Sequence, residues 1–242
     1  MSSITTELDR VRKRIDKACQ DAGREPRSVT LLAVPKTFGP EAVMEAVSGG
    51  QRDFGENYVQ EGLEKIAALK LWAQGQAQPP SLCWHCIGPL QSNKSRAVAE
   101  HFDWVHSIDR LKIAQRLSDQ RPAHLPPLQV CLQVNIDGGP TKSGVAPEQA
   151  LALAQAVQGL PGLVLRGLMT IPEPAADEAA ALAVHRRTRE LFDGLNASGR
   201  LLRPIDTLSM GMSADLEAAI AAGSTMVRVG TAIFGGRSVP KP

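Results

Sequence analysis

Aromatic side chains are scarce in this 242-residue chain: five Phe, three Trp and one Tyr, or 4% of the residues. A core with so few rings has to be filled by Leu, Val, Ile and Ala, which suits a sheet covered by helices on both faces. Long apolar runs are also missing. A membrane-spanning helix needs about 18 such residues in succession, so no membrane partner is expected. The N-terminal residues Met1-Ser2-Ser3-Ile4-Thr5-Thr6-Glu7 lack the basic start and apolar stretch of a secretory leader. Four cysteines in a chain this long do not make a disulfide framework, and a reducing cytoplasm is the simplest location. Nor is there an excess of one charge: 27 basic residues face 25 acidic ones, for a net charge of +2. That balance, with no arginine-rich tract, predicts no nucleic-acid partner.

What the chain does have is a rhythm. Leu8, Val11, Ile15 and Ala18 recur at helical spacing among charged residues, and Gly23 is placed to stop the helix. Residues 1–23 therefore read as a helix flanking the core. Short apolar runs then alternate with longer helical stretches. Strand 29–34 leads to helix 40–47, 52–54 to 58–71, 82–87 to a helix from Gln91, and 104–106 to 111–117. The second half continues with 128–135 before a helix within 148–157, 163–170 before 177–195, 206–210 before 214–222, and a closing strand 226–229. Strands alternating with helices build parallel units, and eight of them close into a barrel. The expected fold is α/β, one (β/α)8 barrel domain over 1–242 with an extra N-terminal helix. An open doubly wound sheet is the alternative, disfavoured because no G-x-G-x-x-G follows the first strand.

One lysine stands out at the end of the first strand, in Leu31-Leu32-Ala33-Val34-Pro35-Lys36-Thr37. In a β/α barrel that is the face on which functional side chains converge. Apolar surroundings disfavour an ammonium, and a neutral amine is a nucleophile for carbonyl carbon. Two further segments fall after the seventh and eighth strands, the recurrent phosphate site of such barrels. In Ser209-Met210-Gly211-Met212-Ser213-Ala214-Asp215, Ser213 reads as a helix N-cap with amides open to an anion. In Arg228-Val229-Gly230-Thr231, Gly230 and Thr231 offer an unobstructed amide and a hydroxyl. An aldehyde-trapping lysine and a phosphate cradle fit one ligand, which carries both groups.

These segments resemble the YggS/PROSC family, the pyridoxal phosphate homeostasis proteins. The resemblance runs through Ala33 to Thr37, Phe54-Gly55-Glu56-Asn57-Tyr58, His85-Cys86-Ile87-Gly88-Pro89-Leu90-Gln91-Ser92-Asn93-Lys94, Arg166-Gly167-Leu168-Met169-Thr170, and both phosphate-type loops. It implies a barrel similar to the alanine racemase N-terminal domain, with pyridoxal 5'-phosphate held as a Schiff base on Lys36. It also implies phosphate contacts from Ser213, Gly230 and Thr231, Arg228 facing the pyridine nitrogen, and Asn57, His85 and Met210 near the cofactor. An arginine there donates a hydrogen bond without giving up its proton, which weakens the ring as an electron sink. The chain also ends at Pro242, soon after the last strand, with no second domain to supply a racemase-type tyrosine. A cofactor carrier that buffers or delivers pyridoxal phosphate to apo-enzymes is thus expected, as a monomer, ahead of a racemase-like enzyme. A Schiff-base aldolase is a further alternative, and a scaffold without ligand is another.

Other features carry less. Lys142, in the loop after the fifth strand, is a candidate transient second amine for cofactor release. Cys83-Trp84-His85-Cys86 matches C-x-x-C, but strand residues three apart point to opposite faces and no second pair exists, so neither metal nor dithiol is expected. The cluster at 91–94 reads as a helix start. His101, His106, His124 and His185 show no ligand or triad spacing and read as structural or solvated, and the basic run at 185–189 reads as the solvent face of a helix.

Overall fold

The computed structural model describes residues 3–139 and 143–236. Among them, eight parallel strands close in sequence order: β1 (Thr30–Ala33), β2 (Asp53–Glu56), β3 (Cys83–Cys86), β4 (Trp104–Ile108), β5 (Leu128–Gln133), β6 (Leu163–Met169), β7 (Thr207–Ser209) and β8 (Met226–Val229). The expected barrel is therefore the observed one, and the open sheet is set aside because β1 pairs with β8 from Thr30↔Met226 to Ala33↔Val229. Helices follow each strand: α2 (Pro40–Ser48), α3 (Val59–Gln74), α4 (Ser95–His101), α5 (Leu111–Gln120), α6 (Ala150–Gln158), α7 (Glu178–Ala197), α8 (Leu216–Ala221) and the short α9 (Thr231–Phe234).

The flanking helix α1 (Ile4–Asp21) is capped by Ser3, whose hydroxyl accepts from the Thr6 amide at 3.2 Å. Its stripe Leu8, Val11, Ile15, Ala18 and Cys19 is buried, and Arg14 pairs with Glu217 of α8 at 2.9 Å. The helix thus covers the seam where the barrel closes, beside α8, α9 and α2. Most apolar burial lies between the strands and the helical ring, while Leu32, Val34, Ile87 and Met226 form a separate apolar group.

Several boundaries move for physical reasons. The helix expected from Gln91 opens with a 3-10 turn (Ser92–Lys94) and becomes α-helical only at Ser95. β4 runs two residues further than expected, through Ser107 and Ile108, because Ser107, polar in type, is buried in it. The basic run on α7 is a solvent face only in part: His185 and Thr188 are fully buried, with Arg186, Arg187 and Arg189 outside.

Candidate functional site

Lys36 lies three residues beyond β1, half-buried, in the left-handed region with φ +49°. A non-glycine residue there costs about 1 kcal/mol or more, so something must hold it. The ammonium of Lys65 on α3 donates to the Lys36 carbonyl and pairs with Glu56 at 2.7 Å; the Lys65 and Glu56 side chains are 5% and 0% exposed. Burial pushes the Glu56 carboxyl up to about 7, against the opposing pull of Lys65. Neither residue was singled out from sequence. The available signal was Lys65 itself, a charge inside the buried stripe Gly62, Lys65, Ile66, Leu69 of α3.

Beside Lys36 is a small cavity of about 60 Å³, lined by 34–38, Gly230, Thr231 and Gly235. A water occupies about 30 Å³ of liquid, so the space suits a compact group. Gly230 forms its wall. A Cβ there would sit 2.9 Å from the Val34 carbonyl oxygen and 3.7 Å from Cε of Lys36, so only glycine fits without displacing backbone. Thr231 is exposed and Ser213 half-buried. Ser213 is not the N-cap expected of it. Asp215 occupies that position before α8, and its carboxylate accepts from the Met212 amide at 2.7 Å. Ser213 Oγ instead accepts from the Ala232 amide at 3.4 Å, tying the loop after β7 to that after β8. Asp215 also holds the buried His185 at 2.9 Å, which gives that histidine its structural role.

Arg228 is 4% exposed and donates to the Ser209 carbonyl (2.6 Å), the Ser209 hydroxyl (2.8 Å) and the Thr170 carbonyl (2.8 Å). Burial lowers it to about 10, so it stays protonated at neutral pH. Behind it runs a file of polar side chains. Ser209 Oγ meets His106 Nδ1 at 2.9 Å, His106 Nε2 meets His85 Nδ1 at 2.9 Å, and His85 Nε2 meets Asp53 at 3.3 Å. The Ser209 hydroxyl, accepting from Arg228, is placed to donate to Nδ1 of His106, and in that arrangement each imidazole carries its proton on Nε2, with His85 donating to Asp53. Burial keeps both histidines neutral, His85 against the pull of Asp53, and His106 with further help from the Arg228 charge. His106 was set aside from sequence because its partner is 21 residues away on the preceding strand.

The remaining candidates are spread out. Asn57 is half-buried after β2, and Met210 is fully buried after β7. His85 is fully buried, both nitrogens engaged, and does not line the cavity beside Lys36. Lys142 lies outside the described residues. The chain's only tyrosine, Tyr58, is 57% exposed.

A closed barrel with a buttressed lysine after β1 and a glycine-walled cavity after β8 defines a class, and residues 6–238 match the family model described as alanine racemase, N-terminal domain. The chain is 58% identical over 242 residues to a Pseudomonas aeruginosa protein, covering 100% of this chain and 99% of that one, and 53% identical over 241 residues to one from Escherichia coli K12, covering both fully. Both relatives are named pyridoxal phosphate homeostasis protein. This chain belongs to that family, within the alanine racemase N-terminal-domain class. Among solved structures, PipY of Synechococcus elongatus with pyridoxal phosphate bound is 36% identical, with a TM-score of 0.81 over 96% of this chain and all of PipY. Alanine racemase from Clostridium difficile, 15% identical with a TM-score of 0.68, covers 95% of this chain but is itself covered over 57%, and shows the shared fold.

Proposed function

We propose that this chain binds pyridoxal 5'-phosphate at the C-terminal rim of its barrel, with Lys36 as the holding amine, and serves cofactor homeostasis instead of catalysis. The observation that carries this reading is the shared wall: a left-handed, buttressed Lys36 lies against Gly230, where a Cβ would crowd the Val34 carbonyl oxygen and approach the Lys36 side chain. When bound, the cofactor supplies an aldehyde that condenses with a lysine amine and a phosphate that needs hydrogen-bond donors. The residues fit both. Gly230 and Thr231 line the cavity, Ser213 is tied to the same loop through the Ala232 amide, and donors remain on Arg228 after its three bonds. The buried Thr170 hydroxyl, next to a carbonyl that Arg228 holds, has no partner among the described residues. The names of the relatives and the cofactor-bound PipY structure support the same ligand.

The non-catalytic part rests on protons. Arg228 keeps its own at neutral pH, and the two histidines behind it are neutral and buried. Arg228 and these two histidines therefore supply no acid–base pair to the rim. In this reading the whole chain is one cofactor-binding domain acting as a monomer in the cytoplasm, consistent with cysteines that are all free. Apo-enzymes receive the cofactor, Lys142 serves as a transient second amine during release, and Asn57 and Met210 stand around the bound ring, while His85 reaches it only through His106, Ser209 and Arg228. No helix among the described residues is long and apolar enough to cross a membrane.

The test is direct. Purified protein given pyridoxal phosphate should gain a visible absorption band that borohydride bleaches, leaving a pyridoxyl adduct on Lys36. A protein that gains no band, or an adduct mapped elsewhere, overturns the binding reading. Sustained racemisation or keto-acid formation from any L-amino acid overturns the non-catalytic one.

A further inference from the structure

Inside the opposite, N-terminal mouth of the barrel, three side chains of different chemistry converge. His85 Nε2 lies 3.3 Å from Cys83 Sγ and 3.3 Å from Asp53 Oδ1, and all three atoms fall within 4.8 Å of one another. The backbone dictates this meeting. Asp53 and Cys83 are register partners at the start of β2 and β3, while Cys83 and His85, two apart on one strand, share a face. The C-x-x-C spacing pointed to the wrong pair. Cys86 lies on the other face of β3, where it is buried.

We propose that Asp53, Cys83 and His85 form a binding site for a divalent transition-metal ion of the zinc class, with the fourth position open to water. A tetrahedral ion with bonds of about 2.0 Å to N and O and 2.3 Å to S has ligand–ligand edges of roughly 3.3–3.6 Å, which the two 3.3 Å separations already approach. Nitrogen, thiolate and carboxylate together select zinc-like ions over magnesium or calcium, which prefer oxygen.

His85 is also held from behind. His85 Nδ1 is engaged by His106 at 2.9 Å, and the Trp104 ring stacks on the imidazole at 5.3 Å with a 14° interplanar angle, fixing its plane. An ion can reach the site because Asp53 is 33% exposed and Cys83 half-buried.

Binding is balanced by one proton. The ion takes the sulfur lone pair as the Cys83 S–H proton leaves to solvent, and it takes the Nε2 lone pair of a His85 that remains neutral. The His85 proton then resides on Nδ1 and is donated to His106, whose own proton turns to Ser209. No oxidation state changes.

Cobalt(II) titrated into the purified full chain under a thiol-free reductant tests the site. One equivalent should produce d–d bands at the red end of the visible spectrum, where a pyridoxal chromophore is transparent, together with a thiolate charge-transfer band. Both should be lost in Cys83→Ala and weakened at least tenfold in affinity in Asp53→Asn, while Cys86→Ala keeps them. Zinc should displace the cobalt and raise the melting temperature of the wild type by several degrees, but not that of Cys83→Ala. An absent spectrum in the wild type, or an unchanged one in folded Cys83→Ala, overturns the proposal. Should Cys83→Ala fail to fold, Cys83→Ser takes its place, and retention of the charge-transfer band there overturns it equally.

Discussion

At the rim, the Lys36 amine has no hydrogen-bond partner among the described residues and Thr231 is exposed, whereas inside the barrel Arg228, Ser209, His106 and His85 are buried and joined end to end. The two regions are only a strand-length apart, yet they use polar groups in opposite ways. A group with spare hydrogen-bonding capacity can accept and release a ligand. A buried network whose members hydrogen-bond to one another is costly to disturb and holds them in one posture. Exchange belongs to the rim and orientation to the interior. The link between them is the second buried device, Lys65 with Glu56, which fixes the backbone of Lys36 while leaving its amine free to react.

The contrast breaks most readily at Arg228. Arg228→Leu strands the Ser209 and Thr170 carbonyls in the interior and should cost about 4 kcal/mol, a fall in melting temperature of about 10 °C. A melting point within a degree or two of wild type would mean that the interior is not the rigid half. Lys36→Ala attacks the rim instead. It should weaken pyridoxal phosphate binding roughly 100-fold, about 2.7 kcal/mol, with little change in melting temperature, as read by equilibrium dialysis and thermal denaturation.

Glu56 gives a pH signature. Its folded value of about 7 lies above the ordinary 4.5, so the stability it contributes is full below pH 4.5 and is lost as pH rises through 7. Glu56→Gln, which stays neutral, should therefore gain on wild type by roughly 2–3 kcal/mol between pH 4.5 and 7 in urea denaturation. If the Lys65 ion pair outweighs burial, the difference reverses sign. The smallest effect is expected at Gly230. Gly230→Ala should cost about 1 kcal/mol of stability through the clash with Val34, and it should weaken inorganic phosphate as a competitor of the cofactor.

The strands and most helices were legible because each is a local matter of apolar period and turn residues, as with 226–229 and α1. Those parts that misled were the ones where a polar residue is buried. β4 was cut short at His106, the 185–189 run was read as wholly solvated, and Lys65 was passed over. In each case the side chain's partner lies on another element: Ser209, Asp215, Glu56. Ser213 failed for a related reason. A Ser-x-Asp stretch offers two capping residues, and the turn chose Asp215 because His185 and the Met212 amide both engage its carboxylate.

Hydrophobic period along the chain, by itself, determined that this protein is a β/α barrel, and the lysine after β1 and the glycine after β8 marked its rim. Only closure of the barrel decided which residues meet. Register set Asp53 beside Cys83 and His85, and put Arg228 within reach of Ser209 and Thr170. Propensity acts over a few neighbouring residues, while the contacts between elements join positions from 19 to 58 apart, and only the closed sheet carries that information.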